Sequence, residues 1–258
     1  DSNGFTLTSD NGGNTSGGTY VAWCWKAGGA ASSNTDGTIT SSVSANTSYG
    51  FSICTYTGTE GGTFGHGLNA APKFVMVKRR NTTADWCLWH TSIPNTQYLM
   101  LNQTAAANTF NVWGNTSPTS SVVSVSGDSY TGNNGDTYVA YCWSEVAGFS
   151  KFGSYTGTGA TGHKITTGFK PAWILFKRTD SVSNWRIVDR LRGTASLNAE
   201  TSEAEQTLNF AINDDGFTIN ETGNNPNASG GSYIYAAFAA KPDGSVIDSL
   251  VDSPSQTA

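Results

Sequence analysis

The chain has 258 residues, of which only 13% are charged and 12% are aromatic, and its formal net charge is −5. Low charge density with abundant Gly, Ser, Thr and Asn argues against a helical bundle and favours short strands joined by turns. The 14 basic residues form no long run, so no nucleic-acid partner is expected. No apolar stretch approaches the roughly 20 residues that cross a bilayer, so membrane insertion is not expected either.

Apolar runs of period two, bounded by Gly, Asn, Asp and Pro, predict an all-β chain. The predicted strands are 20–25, 51–56, 73–79, 86–90, 97–101, 121–125, 137–143, 149–155, 172–178, 185–189, 207–212, 216–219 and 233–239. Residues 197–206 have the one composition compatible with a short helix. Residues 27–49 are rich in Gly, Ser, Thr and Asn and are predicted to be a linker.

The sequence repeats internally. The stretch from Pro72 through Lys78-Arg79 to Trp86 recurs from Pro171 through Lys177-Arg178 to Trp185, with the same offset at both ends (171 − 72 = 99 and 185 − 86 = 99). A fixed period of this kind indicates repeated structural units rather than chance similarity. Each copy ends in an aromatic strand, 137–143 in the first and 232–238 in the second.

That closing strand occurs a third time near the start of the chain. The stretch from Gly18 to Trp25 matches the stretch from Gly231 to Phe238, and Gly4 to Leu7 matches Gly216 to Ile219. The chain therefore opens with the end of a unit whose beginning is missing. A lone hairpin cannot bury its apolar face, so either a segment upstream completes this unit or it completes another one.

These patterns predict tandem antiparallel β-sandwich repeats of jelly-roll or lectin-like type. Residues 1–49 would be a partial repeat and linker, 50–146 the first sandwich, 147–241 the second, and 242–258 the start of a linker to a further domain. Both ends are expected to be cuts in a longer protein.

Strings such as YVAWCWKAGG, GFSICTYTGT, GHGLNAAPKFVMVKRR and GFKPAWILFKRTD resemble an uncharacterised repeat domain of phage and marine metagenomic proteins. Those proteins are of tail-fibre type and are associated with concanavalin-like lectin folds. The resemblance covers nearly the whole chain. It implies a virion-surface or extracellular location and a homo-oligomer, such as the trimer common among fibres, although no heptad pattern requires one.

No enzyme signature emerges from the sequence. The six Glu residues lie in turns or in the helix candidate, without the strand-borne carboxylate pair that glycoside hydrolysis uses. The four Cys lack zinc-type spacing, so no metal and no cofactor are predicted, and alignment of Cys24 and Cys142 with Ala237 favours small buried side chains. His66 and His163 occupy matching positions and are predicted to make a shared turn hydrogen bond, whereas His90 is predicted to be a surface residue.

The remaining candidates are binding residues. Trp89 and Trp113 have no counterparts in the second repeat and are the candidates for a platform that stacks on a sugar. Arg186, Arg190 and Arg192 belong only to the second repeat and could contact an anionic glycan. The alternative is a solvated face or an ion pair with Asp189.

The sequence therefore predicts a non-enzymatic structural and recognition module of a phage tail fibre, spike or other virion-surface protein, presenting loops that bind a host-surface glycan or protein. Two alternatives remain open at this point. One is a purely architectural spacer or capsid decoration protein, and the other is a bacterial extracellular adhesin or lectin. A glycan-degrading enzyme is a third and more distant alternative.

Overall fold

The protein is all-β. A computed structural model describes residues 4–7, 13–223 and 225–240, and over these residues it contains nineteen strands and no helix. Every pairing between these strands is antiparallel, with one isolated parallel bridge between Ile39 and Phe64. The prediction of an antiparallel all-β chain is confirmed.

The larger sheet has eight strands. In spatial order these are β1 (Ser32–Asn34), β2 (Ser41–Asn46), β3 (Phe51–Thr57), β10 (Thr137–Trp143), β5 (Phe74–Arg79), β6 (Trp86–His90), β7 (Gln97–Met100) and β8 (Asn108–Thr109). The closing strand β10 is central because β3 and β5 pair with its two edges. A two-stranded sheet, β4 (Gly61–Gly65) with β9 (Val122–Ser126), covers one face of this larger sheet.

The second sheet has six strands. They are, in spatial order, β11 (Ser150–Thr156), β19 (Ser232–Phe238), β13 (Trp173–Arg178), β14 (Arg186–Asp189), β15 (Ala195–Asn198) and β16 (Gln206–Thr207). If the strands of residues 147–241 are numbered along the chain, their spatial order in this sheet is first, last, third, fourth, fifth and sixth. The strands of 50–146 follow the same order in the larger sheet, from β3 to β8. A three-stranded sheet packs on this second sheet and consists of β12 (His163–Thr166), β18 (Gly216–Ile219) and β17 (Phe210–Asn213).

The six-stranded sheet is buried on both faces. Along β19 the side chains of Tyr235 and Ala237 belong to the core shared with the three-stranded sheet, whereas Ala236 and Phe238 belong to the core shared with the eight-stranded sheet. This explains why 233–238 is a continuous apolar run, because alternation of polar and apolar residues is lost in a strand covered on both sides. The six-stranded sheet therefore lies between the three-stranded sheet and part of the eight-stranded sheet.

Polar contacts join the two large sheets. His90 Nε2 lies 3.1 Å from Tyr235 O, and the indole Nε1 of Trp185 donates to Met100 O at 2.9 Å. The backbone amide of Ala107 donates to Thr179 O at 2.8 Å. The hydrophobic core between the two large sheets likewise includes residues of both the 50–146 and the 147–241 segments.

Three local predictions were wrong. Residues 20–25 form no strand, although their side chains pack on the rest of the protein. The predicted linker 27–49 contains β1 and β2. Because β2 pairs with β3 along its length and β1 pairs with β2, this Ser- and Thr-rich segment is part of the eight-stranded sheet rather than a spacer. The helix candidate 197–206 instead connects β15 to β16 as a loop, since its few apolar residues give no continuous helical face to bury.

The two candidate sugar platforms also need correction. Trp89 is 4% exposed in β6 and Trp113 is 1% exposed in the loop after β8, and both belong to the hydrophobic core. Successive side chains of a strand point to opposite faces of the sheet, and the neighbours of Trp89 in β6, Leu88 and His90, face the second sheet. The Trp89 ring therefore lies on the other face, under β4 and β9. A ring buried to this extent presents no face to a sugar.

Candidate functional site

One concave feature is an apolar cleft between the two large sheets, lined on one side by Trp23 and Trp25. Its volume is about 360 Å³. The lining is almost entirely apolar, and the aromatic part of it consists of Trp23, Trp25, Phe51, Phe74, Tyr141, Trp143, Trp173 and Phe238. None of the described side chains that line it is charged.

Trp25 lies at the centre of this aromatic group. Its ring is 6.2 Å from that of Trp143, 5.1 Å from that of Trp173 and 5.5 Å from that of Phe238, in each case edge to face. Edge-to-face pairs add roughly 0.5–1.5 kcal/mol each beyond area burial. Segment 20–27 is therefore fixed by its two tryptophans, although it belongs to no sheet.

An acidic residue at the rim orders the neighbouring loop. Asp189 accepts hydrogen bonds from the backbone amides of Leu191 and Arg192, each at 3.1 Å, and from Trp23 Nε1 at 3.3 Å. The Arg192 guanidinium contacts the same carboxylate at 2.7 Å and lies 5.5 Å from the Trp23 ring centroid. The predicted alternative of an ion pair with Asp189 is confirmed for Arg192.

The other two candidate arginines differ from Arg192. Arg186 is half-buried, and its Nη1 donates to Gln206 Oε1 at 2.7 Å and to Ser196 Oγ at 3.3 Å. Burial lowers the pKa of Arg186 below its usual value. Arg190 is half-buried beside a second cavity of about 500 Å³, which residues 21–26 also line. Because Arg186 and Arg192 are held by neighbouring side chains, they do not present an open cationic surface.

Each of the three histidines is held by hydrogen bonds within the protein. His66 is buried, accepts from the Leu68 amide at Nδ1 and reaches Thr119 O through Nε2, and burial lowers its pKa. His163 is half-buried and contacts Asn227 Oδ1 at 3.0 Å. The two residues therefore do not share one turn hydrogen bond as predicted.

His90 was predicted to lie at the surface, and this is wrong. It is completely buried between the large sheets, against the rings of Phe74 and Phe152. The Ser92 amide donates to Nδ1 at 3.0 Å, so the proton of the neutral ring sits on Nε2 and is donated to Tyr235 O. Burial lowers the pKa of His90 to about 4. The residues next to His90 in the sequence do not indicate its burial, because His90 is covered by the second sheet.

Lys177 is a second buried polar group at the same junction. Its ammonium donates to Arg178 O at 2.7 Å and to Thr104 O at 3.3 Å, and the residue has no exposed surface. Burial lowers its pKa to about 8. Its counterpart in the first repeat, Lys78, instead lies over the Trp86 ring and donates to Ala84 O.

The thiols also differ from expectation. Cys54, Cys87 and Cys142 are buried, as alignment with Ala237 indicated for Cys142, but Cys24 is exposed. All four are free thiols. The comparison that aligned Cys24 with a buried alanine fails in this chain because 20–25 has no sandwich of its own around it.

A third concave feature is polar. A groove of about 330 Å³ lies over β1, β2 and β3, and its lining consists of Ser33, Thr40, Ser41, Ser42, Thr55, Tyr56, Thr57, Arg80 and Thr137. Arg80 and Thr57 are exposed, whereas Ser41 and Tyr56 are buried and engaged by Gly65 O and Thr131 O. This hydroxyl groove offers several donors and acceptors and one cation, without an exposed aromatic ring.

Two further observations complete the description of the site. In the described part of the chain, no three His, Cys, Asp or Glu residues are grouped so that they could hold a metal ion. Over the same residues, no helix has the length and apolar character needed to cross a membrane.

Comparison with known proteins gives one match. No curated protein and no solved structure matches this chain. One family matches residues 1–242, which is nearly the entire chain. The chain therefore belongs to the family described as "Domain of unknown function (DUF7483)".

Proposed function

We propose that this chain is a non-enzymatic structural module, in which two β-sandwich repeats of jelly-roll or lectin-like type pack into one rigid support. The observation that carries this proposal is the continuous core between the two large sheets, with His90 and Trp185 bonded across it. The strand order that the two repeats share supports their description as copies of one unit.

The polar groups in the core support the same reading. Burial lowers the pKa of His66, His90 and Lys177, and each of these side chains is hydrogen-bonded to backbone in the interior. Buried groups satisfied in this way specify how sheets pack, and they have no access to a substrate. The setting in a virion fibre, spike or decoration protein rests on the resemblance of the sequence strings alone.

A second candidate function is recognition of a host-surface glycan. The observation that favours it is the hydroxyl groove, where Ser and Thr hydroxyls converge beside Arg80. It replaces the platform that Trp89 and Trp113 were predicted to form. An anionic sugar would place its carboxylate or sulfate on the Arg80 guanidinium.

A glycan array combined with a panel of polysaccharide substrates tests both candidates. The structural role predicts neither binding nor turnover by the purified chain. Glycan recognition predicts binding that Arg80→Ala reduces at least about tenfold and that Lys170→Ala, which removes an exposed cation paired only with Asp214, leaves unchanged. Turnover of any substrate, lost on replacement of a Glu by Gln, would contradict both.

A further inference from the structure

Residues 18–25 match the central strand of each repeat but lack the neighbours that such a strand has. β10 lies between β3 and β5, and β19 lies between β11 and β13. Within the part of the chain that the structure describes, Tyr20 to Trp25 make no backbone–backbone hydrogen bond. Nevertheless their side chains alternate like those of a strand, with Trp23 and Trp25 packed inward and Ala22 and Cys24 exposed.

Matching residues of all three segments meet at one place. Trp25, Trp143 and Phe238 are equivalent in the sequence comparison, and all three line the apolar cleft. Trp25 contacts both of the others. Equivalent side chains converge in this way when units surround a common axis, whereas a linear stack would keep them apart.

Equivalent residues of the two repeats also make equivalent contacts, each with the closing segment of another unit. His90 at the end of β6 contacts the backbone of β19 at Tyr235. Asp189, which is 99 positions further on (189 − 90 = 99) at the end of β14, contacts Trp23 in segment 18–25. The first repeat therefore packs on the closing strand of the second as the second packs on segment 18–25. Residues 4–7, 13–223 and 225–240 do not make the third contact of the cycle, onto β10.

Burial shows where that third contact belongs. Phe152, Leu175 and Ala236 on the inner face of the second repeat are 4%, 5% and 2% exposed. Their counterparts on the first repeat, by strand register, are Ile53, Met76 and Tyr141, and all three are only half-buried. The first repeat covers these residues of the second, whereas no described part of the chain covers Ile53, Met76 and Tyr141 to the same extent.

We propose that a third copy of the same unit packs on this open face and completes a three-sided prism around the cleft. Residues 20–25 form its central strand, flanked by two strands that correspond to β3 and β5. The copy covers Ile53, Met76 and Tyr141. This inference rests on the proposed structural role but on neither the virion setting nor the absence of catalysis. A second 258-residue chain is a poorer occupant because its own β10 already fills the position between β3 and β5.

The exposed thiol of Cys24 gives a direct test, since its equivalent Cys142 is fully buried in a complete unit. Residue 4 aligns with residue 216, so a copy of residues 147–215 placed directly before Gly4 supplies the missing part of the unit and adds no cysteine. In the 258-residue chain, a thiol reagent is expected to label Cys24 alone. In the extended chain the rate at Cys24 is expected to fall at least about a hundredfold.

Ala22→Asp provides the matched control. Ala22 is exposed in the 258-residue chain, so the substitution has little effect there, but its equivalents Ala140 and Tyr235 are core residues. In the extended chain Ala22→Asp is expected to restore rapid labelling of Cys24. An extension built from residues 50–120, with its two cysteines replaced by Ala, provides a second version of the test.

Rapid labelling of Cys24 in both extended chains would overturn the proposal, and so would labelling of Cys54, Cys87 and Cys142 alongside it. Concentration-dependent protection of Cys24 in the unextended chain would identify a second copy as the occupant and would also overturn it. None of these outcomes bears on glycan binding or turnover, so the functional proposal is tested separately.

Discussion

His90 is expected to make the stability of the protein depend on pH between 8 and 5. The ring is buried between the two large sheets as the neutral Nε2–H form, and protonation at Nδ1 would place a donor against the Ser92 amide. The folded-state pKa of about 4 lies below the ordinary value of 6.5, so the unfolded chain binds more protons in this range. The stabilisation is therefore complete above pH 6.5 and is lost as the pH falls towards 4.

The size of the effect follows from these two pKa values. Linkage between 6.5 and about 4 gives a loss of about 2 kcal/mol in the free energy of unfolding from pH 8 to pH 5. Urea titrations followed by tryptophan fluorescence at pH 8, 7, 6 and 5 measure it. His90→Gln removes the titrating group while its amide still reaches the Tyr235 carbonyl. The stability difference between wild type and variant should therefore shrink by about 2 kcal/mol at pH 5.

The comparison controls for other titrating groups. Burial also lowers the pKa of His66, but His66 is present in both proteins and cancels in the difference. His163→Gln leaves His90 in place and is expected to keep the wild-type pH dependence. If wild type and His90→Gln lose the same stability between pH 8 and 5, His90 is not buried as described and the packing of the two sheets is wrong.

Two further predictions concern the same junction. The folded-state pKa of Lys177, about 8, lies below the unfolded value of 10.5, so the free energy of unfolding of wild type is expected to rise from pH 8 to pH 10. Lys177→Met is expected to remove this rise, and urea titrations that show the same rise in the variant would contradict the prediction. Trp185→Phe is expected to cost about 1–2 kcal/mol through loss of the bond to Met100 O, and the matched change Trp86→Phe, at a half-buried site, should cost less in the same assay. Equal costs would contradict the cross-sheet bond.

The sequence was sufficient for the elements that depend on local pattern. Pro72 and Pro171 each precede a strand that begins within a few residues, β5 and β13, and both strands pair with the closing strand predicted for that repeat. Alternation of apolar residues within short runs determines such strands without knowledge of their partners. The same reasoning predicted a strand at 20–25, and there it was wrong: the side chains alternate as in a strand, but no strand is formed.

The sequence was not sufficient to predict which faces are covered. Trp89, Trp113 and His90 were judged from their neighbours in the chain, but their burial is determined by a layer some distance away in sequence. β1 and β2, the last two strands at one side of the eight-stranded sheet, were missed because strands rich in Ser have the composition of a linker. The hydroxyl groove over β1 to β3 was missed for the same reason, since no sequence motif distinguishes the lining of a polar groove from a polar loop.

Differential scanning calorimetry tests most directly the claim that the two repeats form one structural body. The continuous core predicts a single transition, with equal calorimetric and van't Hoff enthalpies and a calorimetric enthalpy of roughly 170 kcal/mol for a chain of this length. Two separable transitions, one of which His90→Gln leaves untouched, would show that the repeats fold independently. The face-to-face packing from which the structural role is argued would then be contradicted.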